Sequence, residues 1–158
     1  MTKEINCKQI GRIGNEDGQF YIELDKKYKS GLKEVEGFTH LQILWWGHLG
    51  DNDEKRETII IQKPYVKGPN EIGVFATRSE SRPNPILITN VYVIRIDYQM
   101  GRIYVPYVDA EVGTPVLDIK PYYKSERIKD CEVPAWCNHW PKWYEDAGNF
   151  DWEAEFNF

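Results

Sequence analysis

Two prolines, two positions apart, constrain the run Gly73-Val-Phe-Ala-Thr-Arg-Ser-Glu-Ser-Arg-Pro-Asn-Pro-Ile86. Pro83 and Pro85 fix φ and remove two backbone donors, so this stretch cannot be the interior of a helix. The residues before them, Arg82 and Asn84, are pushed into extended geometry. Arg78 and Arg82 stand four apart, with Thr77, Ser79, Ser81 and Asn84 around them. A stiff loop that presents guanidinium forks suits an anionic or carboxylate ligand. The same residues also describe a solvated surface turn.

The rest of the chain has the period of strands. Phe20, Ile22 and Leu24 alternate with Tyr21 and Glu23, as in a half-buried strand. His40 to Trp46 is nearly continuously apolar and predicts a buried strand. Thr58 to Ile61 is β-branched. From Ile88 to Tyr98, Ile88, Tyr92, Ile94 and Ile96 alternate with Thr89, Val91, Val93 and Arg95. The sequence Asp97 to Gly101 predicts a hairpin turn into Ile103, Val105 and Tyr107. Tyr28, Leu32 and Val35 at helical spacing predict one short helix within Lys26–Glu36. Several short strands with turn signals give a mainly β fold: a barrel or curled sheet with short helices.

At 158 residues the chain is long enough for one core burying roughly two thirds of its unfolded surface. A hydrophobic fraction of 41% sets disorder aside. No window approaches the roughly 18 consecutive apolar residues that would span a membrane. The polar start, Met-Thr-Lys-Glu-Ile-Asn, lacks a signal-peptide core. With three cysteines and no disulfide framework, these features predict a cytoplasmic protein and no membrane partner. The chain lacks the glycine fingerprint of dinucleotide sites, the phosphate loop and the nucleophile elbow. Its net charge of -5 opposes nucleic-acid binding. The acid concentrates in residues 145–155, however, and four lysines lie between Lys26 and Lys33.

Three stretches carry a resemblance. The run ending Ala-Thr-Arg-Ser-Glu-Ser-Arg-Pro-Asn-Pro-Ile86 resembles the signature of the TsaA-like family, whose characterised members are the TrmO-type tRNA methyltransferases. Gly113-Thr-Pro-Val-Leu-Asp-Ile-Lys-Pro-Tyr122 resembles that family's second motif. Gly31-Leu32 with Gly37-Phe-Thr-His40-Leu41 is a weaker third. The matches come in family order and cover most of residues 8–128. The resemblance implies a barrel core over 1–130, a homodimer, and S-adenosylmethionine as cofactor. It also implies methyl transfer to N6 of threonylcarbamoyladenosine in the tRNA anticodon loop. By motif correspondence, His48, Leu49, Arg78, Ile88, Glu111, Val112, Gly113 and Thr114 are implied cofactor contacts. Arg82, Asn84 and Lys120 are implied substrate contacts. Lys26–Lys29 is a fainter candidate, and no catalytic residue is implied. A salt bridge explains Asp118 and Lys120 equally well. Trp45, Trp46 and Phe75 offer aromatic faces for a sulfonium.

The sequence departs from the family at Glu80, where the usual residue is proline, at Leu87, where it is glycine, and at Val112, where it is aspartate. The further C-terminal domain of longer members is not in this sequence. These departures keep a second reading open, a cofactor-binding module that methylates or senses a small molecule, and a third, an interaction domain using the tail. That tail, 131–158, carries Trp136, Trp140 and Trp143 at helical spacing. It predicts a short helix broken near Asn138–Trp140 by Pro141, with the aromatic stripe packed on the barrel. Exposed tryptophans stacking on bases are the alternative. Cys131, Cys137 and His139 lack the paired spacing of a zinc knuckle, so no metal site is expected.

Overall fold

The computed structural model describes residues 3–158. Met1 and Thr2, which open the polar N-terminus and the expected barrel domain, lie outside the described residues. Among the described residues, nine strands follow in chain order. They are β1 (Gly11–Glu16), β2 (Gln19–Leu24), β3 (His40–Trp46), β4 (Ile60–Gln62), β5 (Glu71–Gly73), β6 (Ile86–Tyr92), β7 (Arg95–Asp97), β8 (Arg102–Val105) and β9 (Pro115–Pro121).

Seven of them make one antiparallel sheet in the order β6-β3-β9-β1-β2-β8-β7. Cross-strand register collects the apolar side chains on one face. Ile13 stands opposite Ile22, Ile22 opposite Ile103, Leu41 opposite Val91, and Trp45 opposite Val116. All seven are buried and form the core with Leu24, Leu32, Ile43 and Val105. Burying each aliphatic side chain of this size contributes about 1.5–3 kcal/mol. In β3 the burial alternates strictly, with Leu41, Ile43 and Trp45 inward. His40, Gln42, Leu44 and Trp46 are half-buried on the other face. The near-continuous apolar run therefore does not mean burial on both faces.

The fold is mainly β, as expected, and the sheet stays open in its hydrogen-bond ladder. Its edge strands β6 and β7 are one chain segment, joined through Val93 and Ile94. Ile94 N–H donates to Tyr104 O at 2.8 Å and Val93 N–H to Thr39 O at 2.9 Å. A segment that bends to serve both edges cannot pair with itself, so the backbone and not a ladder links them. The bend also sets which face of this segment is buried: Leu87, Val91 and Val93 face the core, while Ile86, Ile88, Tyr92 and Ile94 are 39–47% exposed.

The hairpin at Asp97–Gly101 forms as expected. Gly101 takes φ +70, and its N–H donates to Asp97 O at 2.8 Å. The expected helix in Lys26–Glu36 is a 3-10 helix over Lys26–Leu32. Ser30 and Gly31 supply little helix propensity, and tight turns hold it instead. Leu32 is buried in the core, with Tyr28 and Val35 packed beside it. A four-residue helix α1 (Asp53–Arg56) is capped by the Asn52 side chain, which accepts from Lys55 N–H at 2.8 Å. Strands β4 and β5 form a separate two-stranded ribbon.

In the tail, the helix expected from the tryptophan spacing is one 3-10 turn, Ala135–Cys137. Trp136 and Trp140 share a packing face, but Trp143 lies beyond Pro141 and is 66% exposed. The aromatic side chains build their own cluster. Tyr65 stacks on Trp136 at 4.9 Å and meets Trp140 at 5.4 Å and Phe156 at 5.7 Å, while Trp152 meets Trp140 at 5.4 Å. Backbone bonds fasten it: Val66 N–H to Glu155 O at 2.9 Å and Asn157 N–H to Pro64 O at 3.1 Å. The stripe thus packs chiefly on the loop after β4 rather than on the face of the main sheet. Tyr144 does reach that sheet, against His40 at 5.3 Å. His139 turns to Glu155 at 2.8 Å, Cys137 is buried and Cys131 is exposed.

Candidate functional site

The signature run leaves β5 through a single 3-10 turn, Val74–Ala76, and is then held by its own hydroxyls. Thr77 Oγ1 donates to Val74 O at 2.8 Å and accepts from Ser79 N–H at 3.2 Å. Ser79 Oγ accepts from Ser81 N–H at 3.1 Å. Arg82 turns back onto the loop, its Nη1 donating to Thr77 O at 3.3 Å and Ser79 O at 3.2 Å. The hydroxyl-rich composition is therefore a chain of local side-chain turns. Arg78 is exposed, and its backbone N–H and charge lie beside the Tyr65 phenol; burial pushes that phenol up and Arg78 pulls it down.

Pro85 O accepts from Gly47 N–H at 2.9 Å, which docks the run against the loop after β3. That loop carries His48 and Leu49 and is clamped by Asp51. The Asp51 carboxylate accepts from Arg56 at 2.6 and 2.7 Å and from Trp46 Nε1 at 2.8 Å. The Arg56 bonds, aided by Trp46, hold the carboxyl down at about 2. A third loop closes the arrangement. Gly113 takes φ +90, a region open to glycine, and its N–H donates to Ile13 O at 2.8 Å. Thr114 N–H then donates to Glu111 O at 3.1 Å, and Ile13 N–H donates to Thr114 O at 3.0 Å.

These loops surround a cavity of about 320 Å³ at the end of the sheet. Phe20, Trp45 and Val108 form its apolar wall. Gly47, His48, Leu49 and Glu80 line one side. Tyr107 through Val112 and Thr114 line the other. Of the implied cofactor contacts, His48, Leu49, Glu111, Val112 and Thr114 come together here. Gly113 is in the same turn without lining the cavity. Arg78 lies outside the lining, and Ile88 sits on the outward face of β6 opposite Leu44. Among the implied substrate contacts, Arg82 is engaged with loop carbonyls and Asn84 is exposed. Lys120 pairs with Asp118 at 2.7 Å on β9. None of the three lines the cavity.

Several lining residues were not read as site residues from the sequence: Phe20, Glu80, Tyr107, Val108, Asp109 and Ala110. Phe20 showed only strand alternation. Glu80 did carry a signal, because it stands where the resembled signature has proline. Of the aromatic faces considered, Trp45 lines the cavity. Trp46 is covered by Arg56 at 5.4 Å, and Phe75 is 78% exposed outside it.

The cavity's chemistry fits a cationic, partly apolar ligand of nucleoside size. Thr114 is 2% exposed and lines the cavity. Glu80, Asp109 and Glu111 supply negative charge opposite an aromatic wall. Of a cofactor with a carboxylate, an ammonium, a sulfonium and an adenine, the acidic residues suit the two cations and the aromatic wall suits the adenine, while the carboxylate finds no lysine or arginine in the lining.

The chain matches the tRNA-methyltransferase O N-terminal domain over residues 8–126. It is 40% identical over 139 residues to a probable S-adenosyl-L-methionine-binding protein of Archaeoglobus fulgidus, covering 87% of this chain and 33% of that protein. A probable S-adenosyl-L-methionine-binding protein of Pyrococcus horikoshii is 35% identical over 113 residues, covering 70% of this chain and 77% of that one. The crystal structure of TrmO from Pseudomonas aeruginosa shares the fold with a TM-score of 0.62 at 24% identity. It covers 82% of this chain and 61% of that one. The chain thus spans a third of the Archaeoglobus protein and under two thirds of that TrmO. The sequence match covers both motifs and all three loops of the cavity, and the chain belongs to the tRNA-methyltransferase O N-terminal domain family.

Proposed function

We propose that the chain binds S-adenosylmethionine in the cavity beside the signature loop and transfers its methyl group to N6 of threonylcarbamoyladenosine in tRNA. The observation that carries this reading is convergence. Five residues implied by motif correspondence, from two distant stretches of sequence, line one cavity that also has an aromatic wall. The bound cofactor supplies an electrophilic methyl group on a sulfonium. The chain's own part is to position: Trp45 and Phe20 pack an apolar portion, Thr114 offers a hydroxyl, and the clamped His48–Leu49 loop closes one side. Holding reactants in line can contribute roughly 7–11 kcal/mol without a general base. An anticodon loop presents its base with little unstacking cost. A cytoplasmic setting goes with this reading.

One observation favours a different acceptor. The cofactor's carboxylate is offset by its ammonium and sulfonium, whereas threonylcarbamoyladenosine carries a carboxylate with no such cation, and three acidic residues line the cavity of a chain of net charge -5. A neutral or cationic small molecule meets no such repulsion. Nucleoside mass spectrometry of tRNA bearing the threonylcarbamoyl group, incubated with protein and labelled cofactor, separates the two. A labelled methyl on that nucleoside supports the tRNA reading. Cofactor binding with no methyl there, beside an active TrmO control, leaves the small-molecule acceptor.

A further inference from the structure

Glu80 is placed with unusual care for a surface-loop glutamate. A Cβ on Gly47 would stand 3.0 Å from Glu80 Cβ and 3.2 Å from its Oε2, and one on Gly50 would collide with its Oε1. The Glu80 side chain therefore packs against the backbone at Gly47 and Gly50, where a larger residue would displace it. Glu80 lines the cavity, as do Asp109 and Glu111.

The balancing charge is small. Lys55 Nζ is 3.9 Å from Glu80 Oε1, with both side chains more than two fifths exposed, a geometry in which pairing is weak. Asp109 accepts from the Tyr107 hydroxyl at 3.1 Å, which leaves its charge in place. His48 is the one lining residue able to carry positive charge. Phe20 and Trp45 back the cavity with low-dielectric surface, which strengthens the carboxylates' field on that side, while the exposure of Glu80 keeps the effect modest.

We propose that Glu80 reads the positive charge of the ligand in this cavity, so that the sulfonium cofactor is held more tightly than its neutral thioether product. The inference rests on the reading that the cofactor binds here. Methyl transfer removes the sulfonium charge and leaves a thioether, so the attraction that helps bind the cofactor is absent for the product. Glu80 then favours exchange of spent for fresh cofactor.

The test is calorimetry with S-adenosylmethionine and S-adenosylhomocysteine on the wild type, Glu80→Gln and Lys55→Met, each checked for folding by circular dichroism. Glu80→Gln should cut the ratio of the two affinities by about three- to tenfold, mostly by weakening the sulfonium ligand. Lys55→Met removes the nearest opposing charge and should raise the ratio, which keeps the inference testable if Glu80→Gln does not fold. Added salt should shrink both changes. An unchanged ratio in Glu80→Gln, or equal weakening of both ligands, overturns the role of Glu80 while the cofactor reading stands. A fall in the ratio in Lys55→Met also overturns it. If neither ligand binds the wild type, the cofactor reading fails and this inference with it.

Discussion

Arg78 and Arg82 look alike in the sequence and differ in the structure. Arg82 holds two loop carbonyls; Arg78 is exposed, with no side-chain hydrogen bond among the described residues. Arg82→Ala should therefore lower the melting temperature by loosening the run that carries Glu80. Arg78→Ala should leave melting unchanged; Arg78 lies outside the cavity lining, so a loss of about 1.5–3 kcal/mol of cofactor affinity by calorimetry, the scale of a hydrogen bond to a charged group, would show that it reaches the ligand from the rim. Unchanged affinity in Arg78→Ala removes it from the site. Asp51 acts one step back, by holding the His48–Leu49 loop. Its folded-state carboxyl is depressed to about 2, below the ~3.9 of a free aspartate. The stabilisation is thus fully present above about pH 4 and is lost as pH falls through about 2. Wild type should melt above Asp51→Asn at neutral pH, and the gap should close between pH 4 and 2. A gap constant across that range would deny the clamp.

Elements were legible where burial follows period. Strand β2 is written in alternation, β3 in a near-continuous apolar run, and the turn before β8 in Gly101. What alternation does not write is which face of a segment is inside when both rows are apolar. Ile88, Tyr92 and Ile94 are as hydrophobic as Leu87, Val91 and Val93. Only the pairing of β6 with β3 and of β7 with β8 decides between the rows. The tryptophan spacing of the tail failed for a similar reason: Pro141 limits the helix to a turn, and Tyr65, distant in sequence, organises the aromatics. The candidate site was legible as two motifs, but not its wall, because Phe20 and Tyr107 reach it by sheet topology. The Gly113 turn gives an element-scale prediction. Nothing lies within 4 Å of a Cβ there, so Gly113→Ala carries a conformational cost alone, about 1 kcal/mol or more in urea unfolding. A neutral substitution would show that the turn relaxes out of positive φ.

At the scale of the whole molecule, the implied contacts divide into two sets. His48, Leu49, Glu111, Val112 and Thr114 line the cavity, while Ile88 faces outward on β6, an edge strand. Around it Ile86, Tyr92 and Ile94, 40–47% exposed, form with Asn90 a largely apolar row, whereas exposed edges are commonly blunted by charge or proline. An apolar row on an edge strand fits burial against a second copy, and aromatic and aliphatic side chains are what the core of such an interface uses. We propose that the chain is a homodimer through this face, and that Ile88 reaches the cofactor cavity of the partner subunit. Light scattering at micromolar concentration should give twice the chain mass. Ile88→Asp places a charge in the middle of the row and should give a folded monomer. If the site is shared between subunits, that monomer should also bind S-adenosylmethionine more weakly than the wild type. A wild-type monomer would remove the dimer, and a monomeric Ile88→Asp with full affinity would keep the dimer but confine the cofactor site to one subunit.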